Sequence, residues 1–287
     1  MSDPAPPLFV VGCDRSGSTL LRLMLDAHPD LAVPGESHFI PELRRRFPDP
    51  VDPEVLTPAL LRTPHFRHWK VAESSVWERV RVMEHPSFAG VIEAAFLANA
   101  DEQGKSRWGD TTPIYVRSIP LLHALWPDAR FVHLIRDGRD VALSYRSLHR
   151  GPDTVWAVAH TWRRDVTAGI RDGQPLGTDR YLEVRYEDLV ADAKAGLQTI
   201  CAFADLPFDE AMLDPGARQE HPTPAPEEIR HFEAVAGGLL GDLGYERRFP
   251  DVAARERVEG ALRSGALDLR AAAGHVRRRL GRRRARP

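Results

Sequence analysis

The sequence predicts an α/β fold: a P-loop-type parallel sheet with helices on both faces. Three observations carry this. Short apolar runs of strand length alternate along the chain with stretches of helical periodicity. Strands separated by helices pair in parallel, and a parallel sheet needs cover on both faces. Two of the apolar runs end in turns rich in Gly, Arg, Asp and Ser that open a helix. In open parallel sheets such turns, beyond the carboxyl ends of the strands, are where anionic ligands sit.

Leu8–Val11 reads as a buried strand, because it is short, apolar and followed by a turn. Thr19–Ala27 is helical, with an apolar face of Leu20, Leu21, Leu23 and Met24, and His28-Pro29-Asp30 stops it. Leu31–Val33 is a short second strand, left through Pro34-Gly35-Glu36. Residues 41–70 are Pro-rich and weakly periodic. A long helix falls within 86–101. Ala129–Ile135 is the next clear strand, followed by helices over 138–149 and 154–171. Tyr181–Val184 is a further strand, Asp188–Phe203 one helix, and Glu227–Leu243 another. No internal repeat interrupts this order, and no second-domain boundary stands out before about residue 250.

Apolar content of 43% and charged content of 28% fit a soluble globular protein, and no apolar run has the length of a membrane span. Residues 1–7 lack the basic and apolar regions of a signal peptide. Cys13 and Cys201 give no disulfide framework. A cytoplasmic location is the expectation. The net charge of −2 is unevenly spread: residues 269–287 carry eight arginines and no acid, which leaves about −10 on the rest. Residues 251–287 are therefore expected to form a helical, arginine-rich tail. Such a terminal run is more commonly a solvated helix end than a binding element. Nucleic acid is not expected as a partner, and peripheral contact with an anionic membrane is the remaining role for the tail.

The first turn, Gly12-Cys13-Asp14-Arg15-Ser16-Gly17-Ser18-Thr19, has the outline of a phosphate-binding loop, but Ser18 stands where the lysine of such loops belongs. That lysine reaches the outer phosphates of a nucleoside triphosphate. Without it, backbone N–H groups at a helix N-terminus still cradle an anion. Arg15 offers a planar guanidinium suited to phosphate or sulfonate. The ligand suggested is a phosphorylated nucleotide other than ATP. The second turn follows Arg136, which leaves the end of a buried strand. Ser144 follows two helical turns later and could offer a hydroxyl to the same group. The twelve histidines show no tight metal spacing with Cys or carboxylate company.

These residues carry a resemblance. Asp14-Arg15-Ser16-Gly17-Ser18-Thr19-Leu20-Leu21 and on to His28-Pro29 resembles the 5′-phosphosulfate loop of sulfotransferases that use 3′-phosphoadenosine-5′-phosphosulfate (PAPS), with the bacterial sulfotransferase-like and tyrosylprotein enzymes nearest. The Arg136–Ser144 stretch resembles their 3′-phosphate motif. Val184–Val190, Leu206-Pro207-Phe208 and His231–Glu246 match in order. The resemblance covers residues 8–248 and implies a sulfotransferase-like three-layer fold over residues 1–250.

It also implies roles. Arg15, the amides of Ser16 and Gly17, and the hydroxyls of Ser18 and Thr19 would hold the 5′-phosphate and the transferring sulfonate. Arg136 and Ser144 would hold the 3′-phosphate, and Tyr186 would lie near the adenine. Glu36, in Glu36-Ser37-His38-Phe39-Ile40-Pro41, matches the general base of the tyrosylprotein enzymes. A carboxylate after the second strand suits that task on physical grounds, since sulfonyl transfer to an alcohol needs a base for the acceptor proton. The rival readings are His38 as base, and Glu36 as a helix N-terminal residue.

Three departures stand out. Asp14 replaces a proline. Thr111, in Trp108-Gly109-Asp110-Thr111-Thr112-Pro113, replaces a lysine. His38 and Glu42 stand where the tyrosylprotein enzymes use arginines for acidic peptides, which argues against such an acceptor. The expectation is transfer of a sulfonyl group from PAPS to a hydroxyl of a small molecule, sugar or lipid, with no metal. The alternatives are a small-molecule kinase, or a nucleotide-binding protein without activity.

Overall fold

The computed structural model describes residues 5–146, 154–213 and 224–251. The arginine-rich run expected to form a tail lies outside them. Five parallel strands form one sheet: β1 (Leu8–Gly12), β2 (Leu31–Ala32), β3 (Arg107–Thr111), β4 (Arg130–Ile135) and β5 (Tyr181–Arg185). Their order is β2-β3-β1-β4-β5. Leu8 pairs with Gly109 on one side and Arg130 on the other, so β1 is a central strand. It has partners on both edges and cover on both faces, which is why every residue of Leu-Phe-Val-Val-Gly is buried.

Side chains alternate across this sheet and build two cores. Phe9, Val11, Trp108 and Phe131 face one way, and Leu8, Val10, Val132 and Leu134 the other. The rings of Phe9 and Phe131 stack with centroids 5.6 Å apart, and those of Phe96 and Trp108 at 4.4 Å. Fully burying each such side chain contributes about 1.5–3 kcal/mol.

The helices in chain order are α1 (Ser18–Asp26), α2 (Ile40–Arg46), α3 (Pro53–Leu61), α4 (Pro64–Trp69), α5 (Glu73–Arg81), α6 (Phe88–Glu102), α7 (Ile119–Leu125), α8 (Gly138–Arg146), α9 (Val155–Gly173), α10 (Tyr186–Ala191), α11 (Ala193–Phe203) and α12 (Pro226–Asp242). Leu21 and Leu25 of α1, with Leu197 and Ile200 of α11, cover one face of the sheet. Leu56 of α3, Val91 and Ile92 of α6, and Leu122 of α7 cover the other.

The weakly periodic residues 41–70 hold three short helices. Each starts with proline at its first or second position, where the missing N–H is harmless. Asp52 and Thr63 cap two of them by accepting from the N–H groups of Glu54 and Phe66. The single helix expected over Asp188–Phe203 is two. The chain breaks at Asp192, whose carboxylate caps α11 by accepting from Ala195 N at 3.0 Å.

The described residues divide into two compact units, one drawn from Met1–Arg136 and Asp165–Gln219, the other from Asp137–Arg164 and Glu220–Pro287. The sheet belongs to the first. The second holds α8, the start of α9, and α12. In it Trp162 packs edge-on against Phe232 with centroids 5.6 Å apart. Glu233 is buried, and its carboxylate accepts from Arg139 at 2.8 Å and from the N–H groups of Arg248 and Phe249 at 3.0 and 2.8 Å. These donors satisfy the buried carboxylate and tie residues 248 and 249 to α8.

Candidate active site

The phosphate-type loop leaves the end of β1 and is closed by its own atoms. The N–H and hydroxyl of Ser16 both donate to Cys13 O, at 3.2 and 2.7 Å. Ser16 therefore shapes the loop and keeps neither group for a ligand. Arg15 and Gly17 both adopt positive φ, +72° and +95°. Two such residues either side of Ser16 turn the chain into a concave nest that then enters α1. No side chain caps α1, and no acidic residue lies in its first turn. Its leading N–H groups keep the positive end of the helix open to an anion. Ser18 is buried and Thr19 is exposed.

Gly17 is required twice over. Its φ lies in the left-handed region, and a Cβ there would stand 2.3 Å from the ring of Tyr186. That ring also carries Arg136. The guanidinium carbon of Arg136 sits 4.5 Å from the Tyr186 centroid, and Nη1 donates to Arg15 O at 3.4 Å. Arg136 is 6% exposed. Thus Arg15, Gly17, Arg136 and Tyr186, from three parts of the chain, form one cluster at the carboxyl edge of β1, β4 and β5. Ser144 lies in the second unit, buried on α8.

Glu36 sits in the loop between β2 and α2, four residues before that helix begins. Its Oε2 is 2.5 Å from Nε2 of His38, and both side chains are partly exposed. His38 adopts φ +53°, an unusual backbone for a residue with a side chain, costing about 1 kcal/mol or more. The turn is held from beneath. Ser37 N donates to Thr112 Oγ1 at 2.9 Å, the hydroxyls of Ser37 and Tyr115 lie 2.9 Å apart, and Ile40 N donates to Tyr115 OH at 3.0 Å. The hydrogen bond to Glu36 raises the His38 imidazole above its ordinary value, outweighing burial, which lowers it.

Asp14 and Asp110 share this field. Burial, then the charges of Glu36 and Asp165, push the Asp14 carboxyl up. An acid that takes up a proton more readily puts less charge beside an anionic ligand. Burial pushes Asp110 up to about 6. The hydroxyls of Ser37 and Thr112 are near enough to offset part of that. Neither makes a hydrogen bond of ordinary length to it, and both carboxyl oxygens are unpartnered among the described residues. Arg117 meets Asp165 at 3.3 Å and eases Asp14 downward. Asp110, Arg117 and Asp165 were not singled out from sequence, where each reads as an ordinary polar residue beside an apolar run.

Beside Glu36 opens a cleft of about 400 Å³, walled by Trp69 and lined by Asp26, His65, Asn99 and Gln103 among others. That is within the range of small-ligand sites. Among the described residues, no group of three or more His, Cys, Asp or Glu side chains is placed to hold a metal ion.

A nest at the head of α1 and an arginine at the end of the neighbouring strand make an anion-binding cluster, and the charge of Glu36 reaches Asp14 of that nest. Residues 6–210 match the family described as the Sulfotransferase family. The chain belongs to that family. It is 27% identical over 220 residues to a protein-tyrosine sulfotransferase of Drosophila melanogaster, covering 72% of this chain and 40% of the relative. It is 26% identical over 220 residues to protein-tyrosine sulfotransferase A of Caenorhabditis elegans, covering 73% of this chain and 52% of the relative. The chain thus spans about half the length of the curated relatives it matches. Among solved structures it is similar to the sulfotransferase domain of the Synechococcus PCC 7002 olefin synthase, with a TM-score of 0.59 and 26% identity over 86% of this chain and 97% of that one.

Proposed function

We propose that this protein transfers a sulfonyl group from PAPS to a hydroxyl of a small-molecule, sugar or lipid acceptor, with Glu36 as the general base. The observation that carries this reading is the pairing of an anion nest with a hydrogen-bonded carboxylate: Asp14 of the nest feels the charge of Glu36. PAPS supplies the sulfonyl group and leaves as adenosine 3′,5′-bisphosphate. Arg15, the N–H groups at the head of α1, and Ser18 and Thr19 hold the 5′ end. Arg136 holds the 3′-phosphate, where a guanidinium with its fork fixed by a ring binds bidentately. The Tyr186 ring that carries Arg136 and abuts Gly17 makes Tyr186 a positioning residue for both. Glu36 takes the acceptor proton, and His38 orients its carboxylate.

The names of the curated relatives offer a protein tyrosine as a rival acceptor. His38 and Glu42 stand where arginines would be needed for an acidic peptide, and this favours the smaller acceptor. The test is transfer of label from radiolabelled PAPS to a panel of alcohols, sugars and tyrosyl peptides. Wild-type protein should label a non-peptide hydroxyl, and Glu36→Gln should lower turnover by roughly two to four powers of ten with donor affinity kept. Unchanged turnover would remove Glu36 from its role. Labelling confined to tyrosyl peptides would replace the acceptor class.

A further inference from the structure

The cleft beside Glu36 has a chemistry that narrows the acceptor. No leucine, isoleucine, valine, methionine or phenylalanine is among the described residues that line it, so the side chains that give it apolar surface are Pro34 and Trp69, too little to hold a long aliphatic chain. It also has no lysine or arginine among those residues, and its ionisable groups are the carboxylates of Asp26 and Glu36 and the imidazoles of His65 and His68. Lys105 meets Asp26 at 3.5 Å and His38 meets Glu36, so an acceptor bearing phosphate, sulfate or carboxylate would have to compete with these carboxylates for their cations. What the cleft does offer is one aromatic wall and side-chain amides. Trp69 is anchored by its indole N–H, which donates to Gly35 O at 2.7 Å, leaving the ring edge against the Gly35–Glu36 turn.

Asn99 is the decisive residue. It projects from α6, is 7% exposed, lines the cleft, and its amide Nδ2 has no hydrogen-bond partner among the described residues. A buried amide left unpaired costs about 1–3 kcal/mol, so such a group calls for a partner from outside the chain. A primary amide both donates and accepts, and so does a hydroxyl. An array of hydroxyls on a compact ring satisfies Asn99 and Gln103 together while its C–H face lies on Trp69.

Resting on the reading that this cleft receives the acceptor, we infer that the acceptor is an uncharged carbohydrate, seated on Trp69 and hydrogen-bonded by Asn99, with one hydroxyl turned to Glu36.

The test is ligand-observed NMR saturation transfer on the full chain in the presence of adenosine 3′,5′-bisphosphate. The probes are the methyl glycosides of glucose, galactose and mannose, methyl glucuronide, and 1-octanol. At least one neutral glycoside should receive saturation, and the glucuronide and octanol should not. Asn99→Ala removes a buried amide whose Nδ2 is unpaired among the described residues and so should not lower the thermal midpoint. It should weaken the glycoside roughly three- to tenfold, the loss of one hydrogen bond. Gln103→Ala, at the exposed residue that follows α6, provides a second variant that does not disturb the core. Absence of signal for all three glycosides, equal signal for the glucuronide or octanol, or a glycoside signal indifferent to both variants would overturn the inference. Because the readout is binding, glycoside binding without sulfonyl transfer would count against the proposed reaction and leave the carbohydrate site standing.

Discussion

Nε2 of His38 lies 2.5 Å from Oε2 of Glu36, across a turn in which His38 takes a left-handed backbone. The pair couples the candidate base to a group that titrates near neutrality. While His38 is protonated, its N–H⁺ holds the Glu36 carboxylate in an ion pair and makes it a poorer proton acceptor. When His38 is neutral, Glu36 is the stronger base.

Turnover should therefore climb with pH. Because the hydrogen bond to Glu36 raises His38, the midpoint of that limb should fall above the ordinary histidine value of 6.5. A His38→Gln variant should lose the limb while keeping part of the activity. A pH–rate profile of kcat for both proteins checks this. A wild-type profile that falls with pH over the same range would contradict it.

Arg136 and Tyr186 should act as a unit on the 3′-phosphate. Arg136→Ala removes a charge-assisted contact worth about 1.5–3 kcal/mol, which is roughly tenfold to a hundredfold in affinity for adenosine 3′,5′-bisphosphate. Adenosine 5′-phosphate should bind about equally to both proteins. Tyr186→Leu should reproduce a smaller part of the same selective loss, since it frees the guanidinium from its ring. Titration of each ligand into each variant measures the difference.

Gly17→Ala should abolish nucleotide binding, because both the φ of +95° and the Tyr186 ring exclude a side chain. The strained backbone alone costs about 1–3 kcal/mol. A thermal-shift assay should show a lowered midpoint and no stabilisation by adenosine 3′,5′-bisphosphate.

Asp110→Asn should stabilise the protein at alkaline pH and not in acid. The carboxyl is raised from 3.8 to about 6 by burial, so the folded state holds a proton that the unfolded chain has already released between those values. Stability then falls as pH rises through that window, and the full penalty is present above it. Removing the charge should restore about 1–3 kcal/mol at pH 8 and nothing below about pH 4. Denaturant midpoints at the two pH values decide it.

Much of this fold was legible in the sequence, and the gaps have physical causes. β1 and β4 were visible because central strands of a parallel sheet run apolar, and the edge strand β5 because Tyr181, Leu182 and Val184 have strand preference. β3 was missed because Arg107-Trp108-Gly109-Asp110-Thr111 has a single large apolar residue. It carries glycine where a Cβ would stand 2.8 Å from Leu8 O, and a buried acid toward its end. Three short helices were hidden by their prolines, which are helix starters at the first turn and breakers elsewhere. At the site, the nest and Arg136 could be read from motif and strand end. The Glu36–His38 bond could not, since it needs a left-handed His38. Nor could Asn99, which is one polar residue within a small-residue helix face and gains meaning only from the cleft it lines.

The proposed donor requires a nucleotide site built for a 3′-phosphate rather than a triphosphate. Calorimetric titration of the full chain with adenosine 3′,5′-bisphosphate, adenosine 5′-phosphate and ATP tests this directly. The 3′,5′-bisphosphate should bind roughly tenfold or more tighter than either other ligand, the added contact being of charge-assisted strength. Equal affinity for the two adenosine phosphates, or tighter binding of ATP, would contradict the assignment of Arg136 and with it the proposed donor.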